Sequence, residues 1–357
     1  RRVLFRSVIA LPIMLRNGYN PRLATGVVAA SGTITQVIPP SLVLIVLADQ
    51  LGKSVGDMYL GAIGPSIAQV LIFIGFILMM SIIRPQSMPP LPKEERASKG
   101  WTLWKDVLLA IVPSLALIFV VLGTIFMGLA TPTEAGAMGV VGAMILAMVH
   151  GRFNRTMLWD GMVSTMNITV MVIFILIGAT VFTLVFQGVD GGKWIEHFFT
   201  AVGADDPVTF LIVVNLLIFG LAFFLDFFEI AFIVIPLLAP IAKEMGIDLI
   251  WFGILICVNM QTSFMHPPFG FALFYLRGIT PPTIRSSDIY LGAIPWVLLQ
   301  LLLVGILIFY PEIVTGLLDK PVTADIQSIE IKLDESEAIQ APKPVPSDDP
   351  ADYFKRR

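Results

Sequence analysis

The chain has 357 residues, 56% of them hydrophobic and 14% charged, with a formal net charge of −3 and a mean hydropathy of +0.86. Such a composition belongs to an all-α polytopic membrane protein set in a lipid bilayer, not to a soluble domain. The weakly acidic balance, with no basic run interleaved with aromatics, excludes nucleic acid as a partner, and the single Cys257 excludes an internal disulfide or a cysteine-rich metal site.

The opening residues, RRVLFRS, carry neither an initiating Met nor a full hydrophobic segment, so the chain is expected to lack an N-terminal part. Arg16 and Arg22 precede a first apolar span at about 23–48, whose centre reads SGTITQVIPPS, and a second span follows at 59–83. Arg84, Lys93, Arg96, Lys99 and Lys105, with four prolines among them, then form a basic loop that the positive-inside rule places in the cytoplasm. Spans at 107–129, 135–149 and 161–186 come next, with Arg152 and Arg155 at a cytoplasmic turn. The acidic link 187–207 is expected outside. Two shorter apolar segments, 208–225 and 228–242, flank Asp226 and are read as a re-entrant hairpin with Asp226 near its tip.

The span 246–275 is long and apolar enough to cross a bilayer, yet its middle holds Asn259, Gln261, Thr262, Ser263, His266 and the Pro267-Pro268 pair. Each proline lacks an N–H and crowds the preceding turn, so the helix is predicted to break between 263 and 268. Unwound backbone survives in hydrocarbon only when it is buried in protein or lines a wet cavity. Two readings follow: a proline kink packed against neighbouring helices, or a site for a solute or ion. A last span at 289–310 and a polar, acidic tail from 311, expected to be disordered, complete the chain.

A second copy of the broken span favours the site. A shift of 228 positions takes Pro12 to Pro240, Gly18 to Gly246, Asn20 to Asp248, Ser31 to Asn259, Thr33 to Gln261, and Pro39-Pro40 to Pro267-Pro268. Three residues of added offset then bring DMYLGAI (57–63) onto DIYLGAI (288–294), identical at six of seven positions. Traced by their flanking charges, the copies run in opposite directions through the membrane. That is an inverted-topology repeat, whose sites lie at the midplane where discontinuous helices meet. The chain divides into 1–83, the C-terminal part of a first repeat; 84–106, a cytoplasmic loop; 107–310, scaffold helices and a second repeat; and the tail 311–357.

Smaller motifs carry less. Thr131 or Thr133 is placed to cap the helix that follows, with Glu134 in its first turn, and a structural cap outweighs a ligand role. Asp226 is either an intramembrane functional carboxylate or a side chain reaching an interface. His266 is either a packing residue or a contact for an anionic solute or a proton. HExxH, GxSxG and Walker motifs are absent from the sequence, which leaves ion gradients as the energy source.

The stretches LATGVVAASGTITQVIPPS (23–41), LATPTEAGAMG (129–139), FLDFFEIAFIVIPLLAPIAKEMGID (224–248) and NMQTSFMHPPFGFALF (259–274) resemble the large membrane subunit of tripartite ATP-independent periplasmic (TRAP) transporters. The resemblance covers about 7–310 and is most specific at TPTEA and PPFG. It implies a sodium-coupled, elevator-type fold with two hairpins and two broken helices, the tip of the first hairpin lying before residue 1. It also implies a multi-pass protein of the bacterial inner membrane, a small membrane subunit as partner, and a periplasmic solute-binding protein that delivers a carboxylate-bearing solute. His266 stands where Thr is more usual in the family.

With Na⁺ as the coupling ion and no other cofactor, the candidate ion ligands are Ser31, Gly32 and Thr33 at the first break, Asn259, Thr262 and Ser263 at the second, and Asp226. The solute, a small organic anion, is expected between the proline pairs at Gln36, Pro40, Gln261, Thr262, His266 and Pro268. Two alternatives stand beside this reading: a stand-alone Na⁺/anion symporter of the same fold, and a membrane-embedded enzyme. The enzyme would need an acid/base cluster that only Asp226, Glu229 and His266 supply, at no supporting spacing, so the chain is not expected to be one.

Overall fold

A computed structural model describes residues 10–90, 101–266, 270–281 and 284–318. Residues 319–357 of the tail, Pro267-Pro268 and residues 91–100 of the basic loop lie outside the described residues, whereas 311–318, predicted as part of a disordered tail, are ordered: they hold a short helix with Val314 buried beside Gly61. Among those described, all regular structure is helical. After a helical stretch at 10–16, the first broken span comprises α1 (Pro21–Thr33), a 3₁₀ turn (Ile34–Gln36) and α2 (Leu42–Gln50), and α3 (Val55–Ile83) follows. Three scaffold helices come next: α4 (Trp101–Phe126), α5 (Pro132–Val149) and α6 (Arg155–Gly188). A short α7 (Gly191–Ala201) leads to the hairpin, whose arms are α8 (Pro207–Leu221) and α9, made of Phe227–Glu229, a π-helical turn (Ile230–Val234) and Ile235–Glu244. The second broken span is α10 (Leu249–Met260), a 3₁₀ turn (Gln261–Met265) and α11 (Phe271–Ile279), followed by α12 (Ser286–Phe309) and the short α13 (Glu312–Thr315).

Boundaries follow capping chemistry that hydropathy does not register. Asn154 accepts from the N–H of Met157 and starts α6 six residues before its predicted apolar span. Thr131 and Glu134 form a reciprocal capping box at the head of α5: the Glu134 N–H donates to Thr131 Oγ1 at 3.4 Å and the Thr131 N–H to Glu134 Oε2 at 2.8 Å. α4 begins at Trp101, inside the stretch predicted as loop. The predicted link 187–207 is helical over α7, whose Trp194, Ile195, Phe198 and Phe199 fall on one face at helical spacing and seat Phe199 against Phe210 with ring centroids 4.8 Å apart.

The repeat is preserved in three dimensions. Gly18 and Gly246 hold φ of +80° and +72°, values that favour glycine, and two residues later Asn20 and Asp248 cap α1 and α10 by accepting from the N–H groups of Arg22 and Ile250. Each broken helix then packs on the last helix of the other repeat. α1 crosses α12 so closely that a Cβ on Gly292 would meet the Arg22 carbonyl and Thr25 Oγ1, while α10 crosses α3 with Ile250 and Ile254 against Gly61. Gly61 and Gly292 are equivalent by the 231-residue offset, and positions 22 and 250 by the 228-residue one.

Between the copies stand α4, α5 and α6, each containing a segment long and apolar enough to cross a membrane. Three such helices, an odd number, are what an inversion of the second copy relative to the first requires. Their surfaces face outward: only Ala135, Ala147 and Ala179 are buried among their described residues, as suits helices bathed in lipid.

Candidate functional site

Both broken spans leave the α-helix at their polar residues, the first through Ile34–Gln36 and its proline pair and the second from Gln261 to His266, and the two breaks meet. Thr33 Oγ1 lies 4.0 Å from Met265 Sδ, and the thiol of Cys257 donates to the Gln36 carbonyl at 3.6 Å. At each break the hydroxyls donate to carbonyls three residues back: Ser31 to Val28 and Thr33 to Ala30 in the first, Thr262 to Asn259 and Ser263 to Met260 in the second. A hydroxyl that gives its proton to its own helix keeps its lone pairs for another partner, the orientation a cation requires.

Asn259 is completely buried, and its amide nitrogen donates to Asn215 O at 2.7 Å and Asn215 Oδ1 at 3.0 Å. These bonds hold Asn259 Oδ1 in place, yet that oxygen has no partner among the described residues. An unpaired buried carbonyl costs about 1–3 kcal/mol, so this atom calls for a cation or a water. Asn259 Oδ1 and the Thr262 and Ser263 hydroxyls are neutral oxygens carried on one five-residue stretch at the break.

The hairpin completes one wall. Asp226 caps α9 in a second reciprocal box: the Glu229 N–H donates to Asp226 Oδ1 at 3.0 Å and the Asp226 N–H to Glu229 Oε2 at 3.1 Å. Between this tip and the second break lies a cavity of about 540 Å³, lined by Asp226, Glu229, Ser263 and five phenylalanines at 223, 224, 264, 271 and 274. A π-helical turn follows directly in α9, a feature common beside functional sites.

The remaining predicted residues are placed as follows. His266 is buried between Phe223, stacked at 4.1 Å, and Phe219, edge-on at 4.6 Å, and neither ring nitrogen has a hydrogen-bond partner among the described residues. Gln36 has a buried Oε1 that also lacks a partner there. Pro40 is exposed, Gly32 half-buried, and Ser31 exposed beside an apolar hollow that includes Phe73 and Trp296. Gln261, expected to reach a solute, instead points into the bundle, where its amide meets Gln69 and Gln300. Those two glutamines are absent from the sequence-based site, although extending the repeat past DMYLGAI pairs them.

The profile of the tripartite ATP-independent periplasmic transporter DctM component matches residues 6–313. The chain belongs to this family. Among relatives, the C4-dicarboxylate TRAP transporter large permease protein DctM of Pseudomonas aeruginosa is 30% identical over 313 residues, covering 85% of this chain and 69% of that protein. The protein of the same name from Vibrio cholerae is also 30% identical, covering 87% and 71%. The sialic acid TRAP transporter permease protein SiaT of Haemophilus influenzae is 28% identical over 300 residues, covering 84% of this chain and 47% of that one. The chain is therefore a multi-pass TRAP large permease, a transport protein and not an enzyme, and its hairpin and broken helices are parts of a permease.

Proposed function

We propose that this permease uses a Na⁺ gradient to import a small organic anion across the bacterial inner membrane, working with a small membrane subunit and receiving its solute from a periplasmic binding protein. The observation that carries the reading is the neutral oxygen set at the second break, above all the fixed and unpartnered Asn259 Oδ1. Neutral oxygens bind a monovalent cation without compensating a second charge, which favours Na⁺ over a divalent ion. Thr33, Ser31 and Gly32 form the corresponding set at the first break.

The anion follows from the same chemistry. Neither unwound segment carries Arg or Lys, so a carboxylate must rest on neutral donors, on bound cations, and on the N-terminal ends of the helices that restart after each break. Ser41 caps one of these, α2. Relatives are named for C4-dicarboxylate, sialic acid and 2,3-diketo-L-gulonate, all acids. Gln36 and His266 are the donors assigned to the carboxylate, while Thr262, whose proton goes to the Asn259 carbonyl, meets it through the bound cation.

Ion and solute sites that share Thr262 must be linked, so each ligand tightens the other. In the full transporter with its binding protein, Thr33→Ala and Ser263→Ala are expected to raise the Na⁺ concentration for half-maximal uptake several-fold. His266→Thr is expected to change the ranking within a panel of keto, hydroxy and sugar acids while leaving the sodium requirement near its parent value. Sodium curves unchanged in both alanine variants would remove the breaks from ion binding, and an unchanged solute ranking would reduce His266 to packing.

A further inference from the structure

Three glutamine amides on three separate elements meet in the interior. Gln261 opens the 3₁₀ turn of the second break, Gln69 lies within α3 and Gln300 within α12, and none is more than 1% exposed. Gln69 Nε2 donates to Gln261 Oε1 at 2.6 Å, Gln261 Nε2 donates back to Gln69 Oε1 at 3.2 Å, and Gln300 Nε2 donates to the same Gln261 Oε1 at 3.2 Å. The outer two occupy one position of the repeat, since the 231-residue offset that aligns 57–63 with 288–294 takes Gln69 to Gln300. Past that heptapeptide the helices diverge, and between 64–76 and 295–307 this pair is the one polar identity.

Leucines of similar volume would fill this space without burying amides, so filling space does not account for three glutamines. Gln300 Oε1 lacks a partner among the described residues, but each of the three amides makes at least one bond in this arrangement, and separating them would leave further desolvated groups unpaired. We propose that Gln69 and Gln300 are positioning residues. The two repeat-related helices hold Gln261 between them and thereby fix the second break in the form that presents Asn259, Thr262 and Ser263. The consequence for ions rests on the sodium reading above; the clamp itself operates without an ion. Gln261 adjoins Thr262 in the chain and lies two residues from Asn259, so release of its side chain frees the backbone that carries both.

Cys257 reports on the break, being buried two residues before Asn259 with its thiol directed at the first break. In the full-length permease, alkylation of Cys257 by N-ethylmaleimide is followed by peptide mass spectrometry, with Ala242→Cys on the hairpin arm as a buried reporter elsewhere. Gln69→Leu and Gln300→Leu are each expected to speed alkylation at Cys257 about tenfold in Na⁺-free buffer, leaving the rate at position 242 unchanged. Gln300→Asn keeps an amide but withdraws it by one methylene; it should act in the same direction by a few-fold and serves if the leucine variants do not fold. Parental rates at Cys257, or equal acceleration at both cysteines, would overturn the clamp. Acceleration confined to Cys257 in the variants, with a parental rate indifferent to Na⁺, would keep the clamp and refute the ion site instead.

Discussion

Asn259→Ala is expected to raise the Na⁺ concentration needed for half-maximal uptake by about tenfold or more, as loss of a hydrogen-bonding or ligating partner to a charged group is worth about 1.5–3 kcal/mol. The substitution removes the buried Oδ1 and also the amide that donates to Asn215 at 2.7 and 3.0 Å. Asn259→Asp separates the two roles. It restores an oxygen at the ligand position but no longer donates to Asn215, and its charge suits a cation at the cost of burial. Sodium titration of uptake checks both, and an alanine variant with parental sodium dependence would take Asn259 out of the ion site.

The second large effect concerns the fold itself. Gly292→Ala is expected to destabilise the permease by about 3 kcal/mol, because the new Cβ collides with backbone that cannot step aside. Its nearest atoms would be the Arg22 carbonyl and, at 2.9 Å, Thr25 Oγ1. The repeat-equivalent Gly61→Ala should cost distinctly less, since its nearest contacts would be side-chain atoms, the Ile254 tip at 2.7 Å, which can rotate, and the Ile250 Cγ2 at 3.1 Å, rather than backbone. Gly305→Ala, on the same helix as Gly292 but facing open space, should be neutral or stabilising through better helix propensity. Thermal melting of the three variants in detergent gives the order, and equal losses at positions 292 and 61 would contradict it.

The architecture was largely legible because repeats preserve punctuation. Gly18 and Gly246 need a left-handed backbone and Asn20 and Asp248 are both caps, so the two copies share this punctuation where their apolar residues differ, and it marked both broken helices correctly. Asp226 at the hairpin tip was legible for a similar reason, a carboxylate between two apolar arms. Other features were hidden. α7 is short and amphipathic, and its charges made it read as a link. Gln69 and Gln300 sit in long apolar helices where a single amide does not disturb hydropathy, and only their spatial convergence on Gln261 gives them meaning. Gln261 itself misled, because an amide beside a helix break looks the same in sequence whether it faces a cavity or the core. The aromatic enclosure of His266 was equally unreadable, since Phe219 and Phe223 come from a hairpin more than forty residues earlier.

The most direct measurement is solute accumulation by proteoliposomes holding the full-length permease and its small subunit, with the binding protein and a panel of organic acids supplied outside. An inward Na⁺ gradient is expected to drive uphill accumulation of at least one acid, abolished when the gradient is collapsed and strongly reduced by Asn259→Ala at limiting sodium. Accumulation that persists at full extent without a Na⁺ gradient, or that is indifferent to Asn259→Ala at every sodium concentration, would contradict a sodium-coupled site at the paired breaks.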